Sequence, residues 1–245
     1  MKADPEAQRR LLDLQAIDTA LAQLAHRRRN LPEQPELDRL ARVMSALEDE
    51  RIRAQVGIDD IDRDIARLEK DIDQVRTRAD RDRSRLDVGT GPAKELEALQ
   101  HELATLARRQ TELEDTELEL MEQRERGQAA LDELEQRLAA ASQTRAEVEQ
   151  RRDESLAEMA QDEERRVASR APLVADLPAD LVAMYEKIRE STGIGAALLR
   201  GGRCEGCRLE LSGSERSRVR SAAPDDVIRC EECGRILVRT AESGL

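Results

Sequence analysis

The sequence predicts a mainly α protein, a long antiparallel coiled-coil hairpin followed by a small β-rich C-terminal module. Three observations lead there. The 245-residue chain is 38% charged and has a single aromatic residue, Tyr185, so it lacks the large side chains that fill a globular core. Apolar residues recur at alternating steps of three and four over long stretches, the mark of a coiled coil. From Ile194 onward that pattern stops, short apolar pieces alternate with glycines, and all four cysteines appear. High charge alone also fits disorder, but the sustained period argues for helices built from Leu, Ala, Arg, Glu and Gln.

The first long arm carries the clearest seam. Its positions are Leu37, Leu40, Met44, Leu47, Arg51, Ala54, Ile58, Ile61, Ile65, Leu68, Ile72, Val75, Ala79, Asp82 and Leu86, with only Arg51 and Asp82 polar. A straight helix of about fifty residues extends roughly 75 Å and cannot bury its own stripe, so the seam needs a partner. That partner follows the turn in "DVGTGPAKELEALQ", where Gly89 and Gly91 let the chain reverse. Pro92 suits a first helical turn there, and Glu95 its positive end. The second seam runs Leu96, Leu99, Leu103, Leu106, Gln110, Leu113, Glu117, Leu120, Arg124, Gly127, Leu131, Leu134, Leu138, Ala141, Arg145, Val148. It is interrupted at Gln110, Glu117, Arg124 and Gly127, which reads as local fraying or register control, or as a hinge or partner site.

The returning arm has no strong breaker before "RAPLVADLP", and at roughly 78 residues it outruns the arm from Glu36 to Leu86. The stretch Asp4–Asn30, with its own seam of Ala7, Leu11, Leu14, Ile17, Leu21 and Leu24, makes up the difference. Pro32 and Pro35 between the two pieces remove backbone donors and must kink or break the helix. The expected organisation is therefore a kinked hairpin over residues 1–175, with its tip near 87–92 and its kink near 31–35. A connecting helix over 176–193 and a metal-stapled module over 194–245 follow. In the connecting helix Leu181, Met184, Tyr185 and Ile188 share one face, and Tyr185 reads as core rather than as a stacking platform.

No secretory h-region or membrane-length apolar run is visible, so a cytoplasmic location is expected, with no membrane partner. Net charge is −12, which disfavours whole-surface attraction to nucleic acid. The balance is uneven. Residues 194–245 hold nine Arg against eight Asp and Glu. Phosphate contact must then come from a local arginine patch. Within that set Arg203, Arg208, Arg216, Arg218 and Arg220 are the candidate nucleic-acid contacts, and Arg200, Arg229, Arg235 and Arg239 belong to the same basic population. The competing reading is a solvated surface balanced by neighbouring glutamates, because aromatics for base stacking are missing.

Cys204-x2-Cys207 and Cys230-x2-Cys233, separated by 22 residues, form a matched pair of knuckles. Zn2+ takes four thiolates in a tetrahedron, and a two-residue gap lets one tight turn supply two of them. Gly206 and Gly234 are expected to meet the positive φ that such turns need. The gap exceeds the usual 15–20 residues, and an inserted helical turn at "SERSRVRSA" absorbs the excess. A dithiol redox pair is the alternative, disfavoured by two matched pairs without a βαβ context. Four cysteines on one structural Zn2+ leave no coordination position for water or substrate, which argues against metal catalysis.

The segment "GGRCEGCRLELS…DDVIRCEECGRILV" closely resembles the C4-type zinc ribbon of a bacterial family that joins a coiled-coil hairpin to such a ribbon, and "TGPAKELEALQHEL" resembles that family's hairpin tip. Val238 departs from the pattern, at a place where the family is associated with an aromatic. The resemblance implies Cys204, Cys207, Cys230 and Cys233 as zinc ligands. It also implies a non-enzymatic role often described as nucleic-acid binding or regulation. Nothing else qualifies as chemistry. His26 and His101 are isolated within helical runs. "GIGAAL" lacks a dinucleotide fingerprint, and "GTGPAK" is a turn rather than a P-loop. Two functions stay open. One is a regulator whose ribbon touches RNA or DNA while the stalk holds a protein partner. The other is a protein-interaction adaptor or chaperone-like scaffold that binds no nucleic acid. Neither takes a small-molecule substrate.

Overall fold

The computed structural model describes residues 1–244. Leu245, the last residue of the expected C-terminal module, lies outside them. Four helices come first, α1 (Pro5–Arg29), α2 (Glu33–Val88), α3 (Ala93–Ala175) and α4 (Ala179–Thr192). Then follow strands β1 (Ala196–Arg200) and β2 (Arg203–Cys204), helix α5 (Gly213–Ser221), strands β3 (Ile228–Arg229) and β4 (Ile236–Val238), and a 3-10 turn at Ala241–Ser243. No helix among the described residues is long and apolar enough to cross a membrane.

The helix ends obey local chemistry. The Asp4 carboxylate caps α1 by accepting from the Glu6 N–H at 2.8 Å, and Pro5 opens the helix where no donor is needed. Pro32 precedes α2, and Pro35 sits in its first turn, where the missing N–H costs nothing. Gly89 turns the chain after α2 with φ 65°, and Gly193 ends α4 with φ 78°.

The chain divides into two compact units. The first comprises residues 35–149 and pairs most of α2 with the leading part of α3. Every α2 seam position from Leu37 to Leu86 is buried or half-buried. The α3 seam follows its expected register except at Arg124 and Arg145, which are exposed. Arg124 Nε instead donates to Asp62 Oδ1 at 2.5 Å, and Arg145 Nε to Glu149 at 2.9 Å. A long guanidinium at a seam position reaches water by leaning outward. Two of the other interruptions, Gln110 and Gly127, meet side chains nearby. Gln110 donates to Glu114 at 2.8 Å, and Arg76 from α2 donates to the same carboxylate at 2.7 Å. Gly127 leaves a hole that Ile58 fills, since a Cβ at Gly127 would stand 3.2 Å from Ile58 Cγ1.

The second unit comprises residues 1–34 and 150–245. Its sheet has the order β2-β1-β4-β3, with β1 parallel to β4 and the outer pairs antiparallel. Alternation along β1 and β4 gives the sheet two buried faces. Ala196, Ile236 and Val238 join Leu11, Leu14, Leu177, Leu181, Tyr185 and Ile188 in a core against α1 and α4. Ala197, Leu199 and Leu237 face the other way and join Leu211, Val219, Ile228 and the cysteines. Residues Met1–Ala3 run beside 225–227, where the Ala3 N–H donates to Asp225 O at 2.8 Å and Val227 N–H to Met1 O at 3.1 Å.

Polar groups of α1 complete this unit. Gln15 Oε1 accepts from the N–H of Gly195, just before β1, at 2.6 Å and from that of Ala196, the strand's first residue, at 3.3 Å. Asp18 is buried and accepts from Tyr185 Oη–H at 2.7 Å and Arg170 Nε at 2.7 Å. Arg170 also pairs with Glu186, and its charged form is strengthened mainly by the Asp18 hydrogen bond. Burial, and then the Asp18 contact, push the Tyr185 hydroxyl up from its ordinary pKa.

Two substitutions test these packings by denaturant unfolding. Asp18→Ala removes the carboxylate that Arg170 and the Tyr185 hydroxyl share, leaving them Glu186 and Gln15 as partners, and a loss of about 1–3 kcal/mol is expected. Asp82 is buried in the seam with Oδ2 unpartnered. Asp82→Leu is expected to raise stability by about 1–2 kcal/mol, and a lowered midpoint would contradict the seam assignment.

Candidate metal centre

The two knuckles share the main-chain bonds that close each loop. The Cys204 N–H donates to Leu209 O at 3.0 Å, and Cys230 N–H to Arg235 O at 2.9 Å. The Arg208 N–H returns to Cys204 O at 2.7 Å, and Gly234 N–H to Cys230 O at 2.9 Å. In both loops the residue after the second cysteine takes the left-handed conformation, Arg208 at φ 63° and Gly234 at φ 72°. Main-chain donors also point at sulfur. Gly206 and Cys207 N–H reach Cys204, Glu232 and Cys233 N–H reach Cys230, and Arg235 N–H reaches Cys233.

The expectation for Gly206 is corrected here, because its φ is not positive and Arg208 takes the left-handed position instead. Gly206 is needed for space. A Cβ there would lie 2.7 Å from Arg235 Cδ and 2.9 Å from Ala197 Cβ, inside any real contact distance.

The four sulfurs converge. Cys204 Sγ stands 3.9 Å from Cys233 Sγ, and Cys207 Sγ stands 3.9 Å from Cys230 Sγ. All four lie within 4.8 Å of one another. A tetrahedron with Zn–S bonds of about 2.3 Å has edges of about 3.8 Å, so the set fits zinc. A disulfide needs about 2.05 Å and is not formed. Burial, the largest influence, pushes the Cys204 thiol up to about 12 and Cys230 up to about 11. Burial acts the same way on Cys233, but the Arg235 N–H and the neighbouring thiols outweigh it and hold Cys233 below the ordinary thiol range. Four adjacent sulfurs ionise together only around a cation, and binding one displaces their protons.

The arginines of this module are mostly committed. Arg200 pairs with Glu242 at 2.6 Å, Arg203 and Arg216 share Glu210 at 3.3 and 3.4 Å, and Arg218 pairs with Glu231 at 2.6 Å. Arg229 donates to Gly234 O at 2.7 Å and Arg235 to Thr192 O at 3.3 Å. Arg239 donates to five main-chain carbonyls, those of Val219, Ala222, Ala223, Pro224 and Asp226, at the C-terminal end of α5. Of the candidate nucleic-acid contacts, Arg208 and Arg220 alone have no side-chain partner among the described residues.

Residues 203–237, which hold both knuckles, match the model of the C4-type zinc ribbon domain. Residues 14–193 match the CT398-like coiled coil hairpin domain. The chain belongs to the CT398-like coiled-coil hairpin family. An uncharacterised protein of Mycobacterium tuberculosis H37Rv is 41% identical over 98% of this chain and 98% of its own length. A solved structure from Mycobacterium smegmatis is similar with a TM-score of 0.85 and 41% identity, covering 98% of this chain and 100% of that one. CT398 of Chlamydia trachomatis has the same fold, with a TM-score of 0.64 at 18% identity over 95% of this chain and 97% of its own. Both matched models describe structural types, a coiled coil and a zinc ribbon. In this CT398-like chain the ion suited to the clustered cysteines is Zn2+.

Three buried polar residues at work here escape a reading of the sequence, Gln15, Asp18 and Glu215. Only Glu215 leaves a signal, as the last residue of a Ser-x-x-Glu helix start at Ser212.

The knuckle geometry predicts opposite outcomes for two adjacent changes in the zinc-loaded protein. Gly206→Ala is expected to lower thermal stability by about 1–3 kcal/mol through overpacking against Ala197. Arg208→Gly is expected to be neutral or slightly stabilising, because relief of the left-handed strain offsets glycine's extra chain entropy. The reverse order would contradict the assigned turn positions.

Proposed function

We propose that the protein is a non-enzymatic cytoplasmic adaptor in which Cys204, Cys207, Cys230 and Cys233 hold one structural zinc ion and the helical hairpin carries a protein partner. The observation behind the choice of partner is the charge arrangement of the ribbon. Each of Arg203, Arg216 and Arg218 already faces a glutamate. Exposed pairs of this kind are weak. Their carboxylates nevertheless repel an approaching phosphate, and two free arginines, Arg208 and Arg220, are few for a backbone track. The single aromatic residue is buried, so no base-stacking platform supplements them.

The hairpin unit offers apolar surface instead. Ile52 and Val56 on α2 are about half exposed and lie four apart, on one helix face. Leu118 and Met121 on α3 are similarly exposed and lie three apart. A four-thiolate ion has no open position for substrate, which supports a structural rather than a catalytic zinc.

Fluorescence anisotropy with random RNA and DNA oligonucleotides at about 50 and 200 mM salt separates the two functions. The adaptor reading predicts no micromolar, salt-sensitive binding by the zinc-loaded protein. Such binding, abolished by the double change Arg208→Ala and Arg220→Ala, would overturn it in favour of a nucleic-acid regulator. For the partner itself, photo-crosslinkers at positions 52 and 118 are expected to capture a discrete protein in cells, with one at position 203 capturing none.

A further inference from the structure

The pseudo-symmetry of the two knuckles is broken in one place. In the first knuckle the peptide after the leading cysteine is held by a strand, because the Glu205 N–H donates to Leu198 O of β1 at 3.0 Å. The corresponding donor in the second knuckle is the Glu231 N–H, and its acceptor is a side chain, Glu215 Oε1 of α5, at 3.0 Å. Glu215 is 3% exposed. The Ser212 hydroxyl accepts from the Glu215 N–H at 3.2 Å, which is half of a capping box. The other half is diverted, since the glutamate that would ordinarily turn back on its own helix reaches the metal loop.

The rest of α5 is anchored so that this reach is fixed. Val219 is buried in the metal-side core. Arg239 holds the carbonyls of Val219 and Ala222 at the far end. Arg218 grips the Glu231 side chain at 2.6 Å, so Glu231 is held through both its main chain and its carboxylate. We propose that Glu215 is a positioning residue for the metal, a carboxylate that α5 supplies in place of the strand carbonyl the second knuckle lacks, and that α5 thereby slows zinc release. Fixing the first peptide of the loop fixes the following Glu232 and Cys233 amides, which are the donors to Cys230 sulfur. Groups that orient ligands in this way typically change metal affinity by roughly 10–100-fold when removed.

The test is zinc release from the full-length, zinc-loaded chain into excess chromogenic chelator, with starting zinc content measured first so that a failed metal assignment is seen separately. Glu215→Ala is expected to release zinc roughly 10–100-fold faster. Glu215→Gln keeps an oxygen acceptor and is expected to stay close to wild type. Leu181→Ala weakens the helical core on the other face of the sheet, away from α5 and the cysteines, and is expected to accelerate release less than Glu215→Ala when the two are compared at matched stability. Unchanged release in Glu215→Ala, equal acceleration in Leu181→Ala at matched stability, or no rescue by Gln would each overturn the proposal. Amide exchange in the unmodified protein gives a reading that needs no variant to fold. The Glu231 amide is expected to be as protected as the Glu205 amide despite its exposed side chain, and fast exchange at Glu231 alone overturns the assignment.

Discussion

The unit formed by residues 1–34 and 150–245 depends on a strand pair that is buried on both faces. β1 and β4 are five and three residues long, too short to be stable as an isolated sheet. Their alternation sends Ala196, Ile236 and Val238 into a core made by helices, and Ala197, Leu199 and Leu237 into a core made around the cysteines. Each face needs its own cover, and neither cover is large. A closed zinc site provides one, since a module with so few apolar groups needs a staple to fold. Helices α1 and α4 provide the other.

The ribbon strands therefore share a core with α1 and α4. Tyr185 shows how tight the sharing is. Its ring and carbonyl lie against Gly195, where a Cβ would approach within 2.5 Å of the ring. Gln15 satisfies the donors at the start of β1, and Asp18 fixes the Tyr185 hydroxyl. The same residues that seal the helical core thus set the position from which β1 leads to the first knuckle. On the opposite face α5, pinned by Arg239, holds the second knuckle through Glu215. The metal site and the helical core thus share one sheet.

Much of this was legible in the sequence because it rests on periodicity and spacing. The α2 seam is correct at every position from Leu37 to Leu86, since a heptad pattern reports directly on the buried stripe. The cysteine pairs fall where the family match places them, and their four sulfurs converge. Where the reading failed, side-chain length or tertiary contact decided the outcome. Arg124 and Arg145 occupy seam positions but lean out to carboxylates. Gly206 was read as a turn glycine, and its real constraint is Ala197 across the loop, which lies far away in backbone terms. Gln15 and Asp18 flank an ordinary apolar stripe, and they are buried because a second layer covers that flank of α1, the start of β1 over Gln15 and the α3 and α4 residues Arg170 and Tyr185 over Asp18. No pattern within α1 announces that layer. The roles of the ribbon arginines were equally hidden, because a basic residue looks the same in sequence whether it faces solvent or closes a helix end, as Arg239 does.

The most direct measurement is to remove zinc with a chelator and follow Tyr185, the sole tyrosine, by ring NMR signals or intrinsic fluorescence while zinc loss is recorded in parallel. If one sheet serves both cores, Tyr185 loses its buried environment in step with the metal, although no atom of it touches the knuckles. A Tyr185 signal that stays native while the ribbon amides of residues 203–237 lose their dispersion would contradict the shared core and restore an autonomous head on an independent helical base.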